Sequence, residues 1–252
     1  MRRWLRMGLL AITLIGMAAC ATPRTESERR ESAQSNTETG LAALSENDIP
    51  KAIEALKLAV EDEPQVARRH HALGSAYLRG EQFERAEESF RRAVDLDPRF
   101  SDAWNDLGVA YIRREKWDLA IDAFRRALAN PRYMTPENAH MNLGNVYYTL
   151  KRYDMAADEF RRVIDILPQS PDGYFFLGRT YLAQENYAGA KEQLEQAIQL
   201  SNAIPIFHME LARTQQRMGD VAGARASYQR VIDLNPRTPE AGEARRLMQQ
   251  LR

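Results

Sequence analysis

His70-His71-Ala72-Leu73-Gly74-Ser75-Ala76-Tyr77 returns 34 residues later as Trp104-Asn105-Asp106-Leu107-Gly108-Val109-Ala110-Tyr111. The shared frame is Leu-Gly followed by Tyr three residues after the Gly, with a flat side chain four before it. Working outward, Gly40, Gly144 and Gly178 stand in the same register, one step being 36 residues long, and Ala212 takes the place 34 beyond the last. Twelve residues after each of these comes Ala52, Ala86, Ala120, Ala156, Ala190 or Ala224, and four further on Leu56, Phe90, Phe124, Phe160, Leu194 or Tyr228. Pro64, Pro98, Pro168 and Pro236 close four of the six periods.

A period of this length marks a stacked helical array, in which each unit buries its apolar face on the next. Spacings of three and four keep each apolar set on one helical face. Small residues sit where helices approach closely, and Leu, Tyr and Phe fill the remaining space. Proline ends the second helix of a unit because it lacks an N–H and clashes with the preceding turn. The pattern resembles the tetratricopeptide repeat. It implies an all-α, right-handed α-solenoid of six repeats, at 33–66, 67–100, 101–136, 137–170, 171–204 and 205–238. Residues 239–252, with Ala241, Ala244, Leu247, Met248 and Leu251 at helical spacing, are expected to form a solvating C-terminal cap helix.

The first 20 residues tell a different story. Arg2, Arg3 and Arg6 precede an apolar run from Met7 to Ala19, and Met17-Ala18-Ala19 leads into Cys20, the one Cys of the chain. This is the layout of a secretory signal peptide, spanning 1–19, too short for a comfortable membrane span. Its end resembles a bacterial lipobox, which implies cleavage before Cys20 and acylation there. With Ala21 rather than Asp next, the lipobox scheme implies transfer to the outer membrane, facing the periplasm. Several acyl chains on one residue give stable anchoring. From Cys20 to about Ser32 no large apolar residue appears, so this stretch is expected to be a flexible tether reaching on the order of 20 Å.

Charge and chemistry exclude several functions. Lys plus Arg equals Asp plus Glu at 35 each, and removing Arg2, Arg3 and Arg6 leaves a slightly acidic body with no basic field for nucleic acid. The pairs Arg91-Arg92, Arg125-Arg126 and Arg161-Arg162 recur in register and read as a solvated outer face, balanced by neighbouring acids. His70, His140 and His208 occupy the position of Trp104 and Tyr174, so they read as packing residues rather than metal ligands. No nucleophile elbow, phosphate loop or catalytic Cys is present. No enzyme activity, cofactor, metal or small-molecule substrate is expected.

Function must therefore come from a surface that binds a protein partner. First helices of such arrays line a concave groove. Counting positions two, five, nine and twelve of each unit places Asn105, Val109, Ile112, Met141, Asn145, Tyr148, Phe175, Arg179, Leu182 and Met209 there. Val109, Ile112, Met141, Tyr148, Phe175 and Leu182 would give the groove an apolar centre suited to an amphipathic helix or extended segment. The alternative, that some of these side chains tuck between helices, stays open at this level.

The third unit is two residues longer and carries Asn130-Pro131-Arg132-Tyr133-Met134-Thr135-Pro136-Glu137. With the lipobox and six repeats, this N-P-x-Y-x-T-P-E loop resembles the type IV pilus biogenesis and stability lipoproteins, the PilF/PilW/Tgl pilotin family. That resemblance implies an outer-membrane lipoprotein assisting localisation or multimerisation of the pilus secretin. Such proteins often carry a Cys pair in the middle repeats, and this chain has none. A periplasmic scaffold recruiting peptidoglycan-remodelling enzymes, or an adaptor of a secretion or polysaccharide-export system, would need the same anchor and groove.

Overall fold

Each sequence period folds as two helices joined by a turn that ends the first helix in one fixed way. The computed structural model describes residues 24–251, which form α1 (Glu26–Ser45), α2 (Ile49–Asp62), α3 (Ala67–Arg79), α4 (Phe83–Leu96), α5 (Ser101–Arg113), α6 (Trp117–Leu128), α7 (Pro136–Thr149), α8 (Tyr153–Ile166), α9 (Pro171–Ala183), α10 (Tyr187–Leu200), α11 (Pro205–Arg217), α12 (Val221–Leu234) and α13 (Pro239–Gln250). Each helix packs on the next, and first helices also touch across units, as α3 does with α5 and α5 with α7. The all-α tetratricopeptide solenoid expected from the period is what the chain forms. None of these helices is long and apolar enough to cross a membrane.

Within a unit, the turn is a Schellman closure. Lys116 N–H donates to Tyr111 O at 2.9 Å, and the same bond recurs at Asp48, Gln82, Arg152, Asn186 and Asp220. The residue just before each has positive φ: Asn47, Glu81, Glu115, Lys151, Glu185 and Gly219. Five of these six are not glycine, although L residues adopt this conformation at a cost.

The repeated Gly is set by its own unit's second helix. A Cβ on Gly108 would lie 2.5 Å from Phe124 Cε1, and one on Gly74 or Gly144 would meet Phe90 or Phe160 at 2.6 Å. Phe90, Phe124 and Phe160 are fully buried, as are Ala86, Ala120 and Ala156. At the sixth unit, Ala212 and Tyr228 occupy the equivalent core positions.

Unit boundaries are stitched by polar bonds at two recurring positions. The flat side chain four before the Gly reaches back to the stop of the previous unit. His70 Nε2 lies 2.9 Å from Pro64 O, Trp104 Nε1 donates to Pro98 O at 2.9 Å, Tyr174 OH to Pro168 O at 3.3 Å, and His208 Nε2 lies 2.9 Å from Asn202 O. His140, after the longer loop, departs from this and bonds Glu159 instead. The Arg pairs are also more than a solvated face, since their first members bond the Tyr of the next unit. Arg91, Arg125 and Arg161 donate to the hydroxyls of Tyr111, Tyr147 and Tyr181 at 3.1, 2.8 and 2.9 Å.

Two expectations at the ends compare differently with the structure. The signal peptide and Cys20 lie outside the described residues. The tether to Ser32 is overturned from Glu26 onward, because α1 starts there. Thr25 accepts from Glu28 N–H while the Glu28 carboxylate accepts from Thr25 N–H, a capping box that starts a helix in a stretch poor in apolar residues. Ala33 is fully buried, and Arg69 on α3 donates to Ala33 O at 3.0 Å and to Thr37 Oγ1 at 2.7 Å, tying α1 to the array. At the other end, α13 packs Ala241 and Ala244 against Tyr228, Val231 and Met209.

Candidate functional site: the concave groove

The groove is built by α3, α5, α7, α9 and α11, whose matching faces follow from the shared register. Asn105, Val109 and Ile112 stand on α5, Met141, Asn145 and Tyr148 on α7, Arg179 and Leu182 on α9, and all eight are half-buried. Val109, Ile112, Met141 and Tyr148 lean on the main core with part of each side chain still exposed. With Leu182, also half-buried, they are the apolar side chains this face offers.

Phe175 and Met209 do not belong to it. Phe175 is only 6 % exposed and Met209 2 %. The cause for Phe175 is an aromatic partner on the next first helix: its ring lies 4.7 Å from that of Phe207, within a cluster with Leu194, Ala197 and Leu211. Met209 is taken up by the last core, where α13 closes the array. Position five is thus a groove position in the middle units and a core position near the C-terminus.

Arg179 lies across the aromatic cluster, its guanidinium carbon 5.2 Å from the Tyr148 ring centre, 5.6 Å from Phe175 and 5.9 Å from Phe176. A delocalised cation on aromatic faces keeps its outward edge free to donate hydrogen bonds. The surface there is thus a cation over aromatic rings rather than bare hydrocarbon.

A polar chain crosses the middle helices beside this patch. His71 Nε2 lies 2.8 Å from Asp106 Oδ2, Asn105 Nδ2 donates to Asp106 Oδ1 at 3.2 Å, and Asn142 Nδ2 donates to Asn105 Oδ1 at 3.1 Å. Asp106 and Asn142 occupy the sixth position of their units, which the counting of positions two, five, nine and twelve passes over. Adjacent His70 and His71 turn to different partners, the first to a backbone carbonyl and the second to a carboxylate. Burial pushes the pKa of His70 down, opposed by its bond to Pro64 O.

Near the N-terminal end lies a feature with no sequence signal, a cavity of about 430 Å³ between α1 and α3, walled by Leu41, Val66, Ala72, Phe100 and the Arg69 stem. Arg69 is buried, bonded to Glu63, and its Nε has no partner among the described residues. The cavity exists because α1 reaches back over α3.

Among the described residues, this face carries hydrogen-bonding amides, a cation and half-buried apolar side chains. Comparison with known proteins agrees with the repeat fold. Three family models, each described as "Tetratricopeptide repeat", match residues 71–135, 135–203 and 181–251. The chain carries tetratricopeptide repeats throughout that span. A search of curated proteins returned no match. Among solved structures, one titled "Functional Characterization of Pseudomonas Aeruginosa pilF" is 20 % identical with a TM-score of 0.73, covering 87 % of this chain and 99 % of that one. "PilW, widely conserved type IV pilus biogenesis factor" is 19 % identical with a TM-score of 0.76, covering 84 % and 97 %. "YrrB: a TPR protein with an unusual peptide-binding site" is 20 % identical with a TM-score of 0.63, covering 77 % and 100 %. At these identities the likeness is one of fold.

Proposed function

We propose that this tetratricopeptide-repeat array is a non-enzymatic, lipid-anchored adaptor of the bacterial outer membrane, facing the periplasm, and that it acts as a pilotin for a type IV pilus secretin. The observation that carries the adaptor role is the half-buried row on α5 and α7, where Val109, Ile112, Met141 and Tyr148 run beside the amides of Asn105, Asn142 and Asn145. Such a mixed surface binds a protein segment through apolar anchors while its polar groups set direction and register. Support for the membrane address comes from the lipobox at Cys20. The finer assignment draws on the Asn130–Glu137 loop and on the likeness in fold to PilF and to the type IV pilus biogenesis factor PilW.

In this mechanism the acyl chains restrict the array to the membrane surface, and the groove holds a secretin segment until the multimer forms. Confinement raises the effective concentration of the two partners, so a modest groove affinity suffices. The test is affinity capture from detergent-solubilised envelopes. Recovery of a secretin, lost with Tyr148→Ala, supports the pilotin reading. Recovery of murein hydrolases instead supports a peptidoglycan scaffold.

A further inference from the structure

We propose that the edge of the array formed by the inter-unit loops lies against the lipid bilayer, with Met134 as its inserted tip. The inference rests on the lipid-anchor reading of Cys20 and adds an orientation and a second membrane contact to it.

The first observation is the length of chain between the anchor and the folded body. Arg24 already bonds Asp62 at 3.0 Å, and α1 begins two residues later. Only Ala21, Thr22 and Pro23 separate Cys20 from Arg24, a contour of at most about 14 Å. An acylated Cys20 therefore holds the start of α1 near the headgroups, whatever path those residues take. Short turns make successive helices antiparallel, so the N-terminal ends of α1, α3, α5 and α7 share one edge. That edge carries the loops between units.

The second observation is independent of the anchor. On this edge the one lengthened loop, between α6 and α7, displays Met134 at 87 % exposure, the most exposed large apolar side chain described. The loop is fixed rather than slack. Asn130 Nδ2 donates to Arg99 O at 2.9 Å and to Ser101 Oγ at 3.0 Å, and Tyr133 beside Met134 is buried. Arg132 and Arg99 flank the tip in one cleft, with Asp97 and Asp102 the acids in its walls, and neither Arg has a carboxylate within salt-bridge range among the described residues. A braced apolar tip flanked by arginines fits the bilayer interface, where the Met enters the acyl boundary and guanidiniums meet phosphate. Around Arg24 the charges pair internally, with Asp62 and, for Arg30, with Glu26 and Glu63. With acids and bases balanced at 35 each, the chain carries no strong positive field to bind the membrane without its anchor.

The test uses the acylated full chain in vesicles of phosphatidylethanolamine and phosphatidylglycerol, with an environment-sensitive fluorophore at Met134→Cys or at Leu119→Cys. Leu119 is 48 % exposed, lies in the same unit and sits near the opposite edge. Mass spectrometry first establishes acylation of Cys20, and Cys20→Ser should fail to float with vesicles. The expected result is a blue shift at 134 and quenching by shallow nitroxide lipids at least threefold greater than at 119. Equal quenching at both sites, or none at 134 in acylated protein that floats, overturns this orientation and leaves the anchor reading intact. Absence of acylation overturns both. A shift at 134 that appears only when envelope proteins are added makes the loop a protein-binding element and overturns the membrane contact.

Discussion

The guanidinium of Arg161 in the fourth unit donates to the hydroxyl of Tyr181 in the fifth at 2.9 Å, with its central carbon 5.8 Å from the centre of the same ring. The bond is made at three successive boundaries. Tyr181→Phe keeps the ring and removes the acceptor, so it should cost about 0.5–1 kcal/mol, the lower range because Arg161 stays near water. A double-mutant cycle with Arg161→Ala, read by urea unfolding, should give a favourable coupling of similar size. Zero coupling would leave these bonds without energetic weight.

Gly108 and Gly242 should respond oppositely to the same change. Gly108→Ala places a methyl against Phe124 and should destabilise by about 1–3 kcal/mol despite better helix propensity. Around Gly242, within α13, a Cβ meets nothing within 4 Å, so Gly242→Ala should stabilise by about 0.5–1 kcal/mol. Thermal melts of the two variants decide it.

Glu87 should make the array acid-sensitive. Its carboxylate is buried and bonds Arg91, Arg114 and Lys116. Burial alone would raise its pKa, yet the bonds to Lys116, Arg114 and Arg91 outweigh it and hold the pKa below the ordinary carboxylate value. A depressed folded pKa means stability present above the unfolded value near pH ~4 and lost as pH falls through the folded one. Glu87→Gln should therefore cost about 1–3 kcal/mol at neutral pH, and its deficit should shrink below pH ~4. A deficit independent of pH would assign the effect to packing.

Phe175 and Tyr148 should separate core from groove. Phe175→Ala should lose about 3–5 kcal/mol by emptying a buried site shared with Phe207. Tyr148→Ala should cost less stability and more partner capture, since its half-exposed ring faces the groove beneath Arg179. If capture survived Tyr148→Ala in folded protein, the middle of the groove would not be the binding surface.

The contrast between these residues also shows how far the amino-acid pattern carries. The Gly108–Phe124 contact was legible because both belong to one unit and recur in step. Phe175 was misassigned because its environment depends on Phe207 in the next unit, outside any single period. Asp106 and Asn142 were missed because position counting treats a helix face as a fixed set of places, whereas polar side chains bend toward each other across helices. The helical start at Glu26 was masked by a polar composition typical of linkers, and a local capping box with long-range bonds from Arg69 overrode it. Left-handed backbone at Glu81, Glu115, Lys151 and Glu185 left no mark, since none of these residue types announces it.

Glu115→Gly should raise stability by up to about 1 kcal/mol, because glycine adopts φ near 56° without the Cβ conflict but gains freedom in the unfolded chain. Chemical denaturation of the single variant measures it directly.

Those strained turns bear on the order in which the chain acquires its shape. A lone helical pair must absorb an unfavourable conformation at its bend while its outer apolar faces are still wet. A neighbouring pair that covers those faces, as α5 covers α4 and α7 covers α6, offsets that cost. An isolated pair should therefore stay less ordered than two adjacent pairs, and order in the array should spread from each pair to its neighbour.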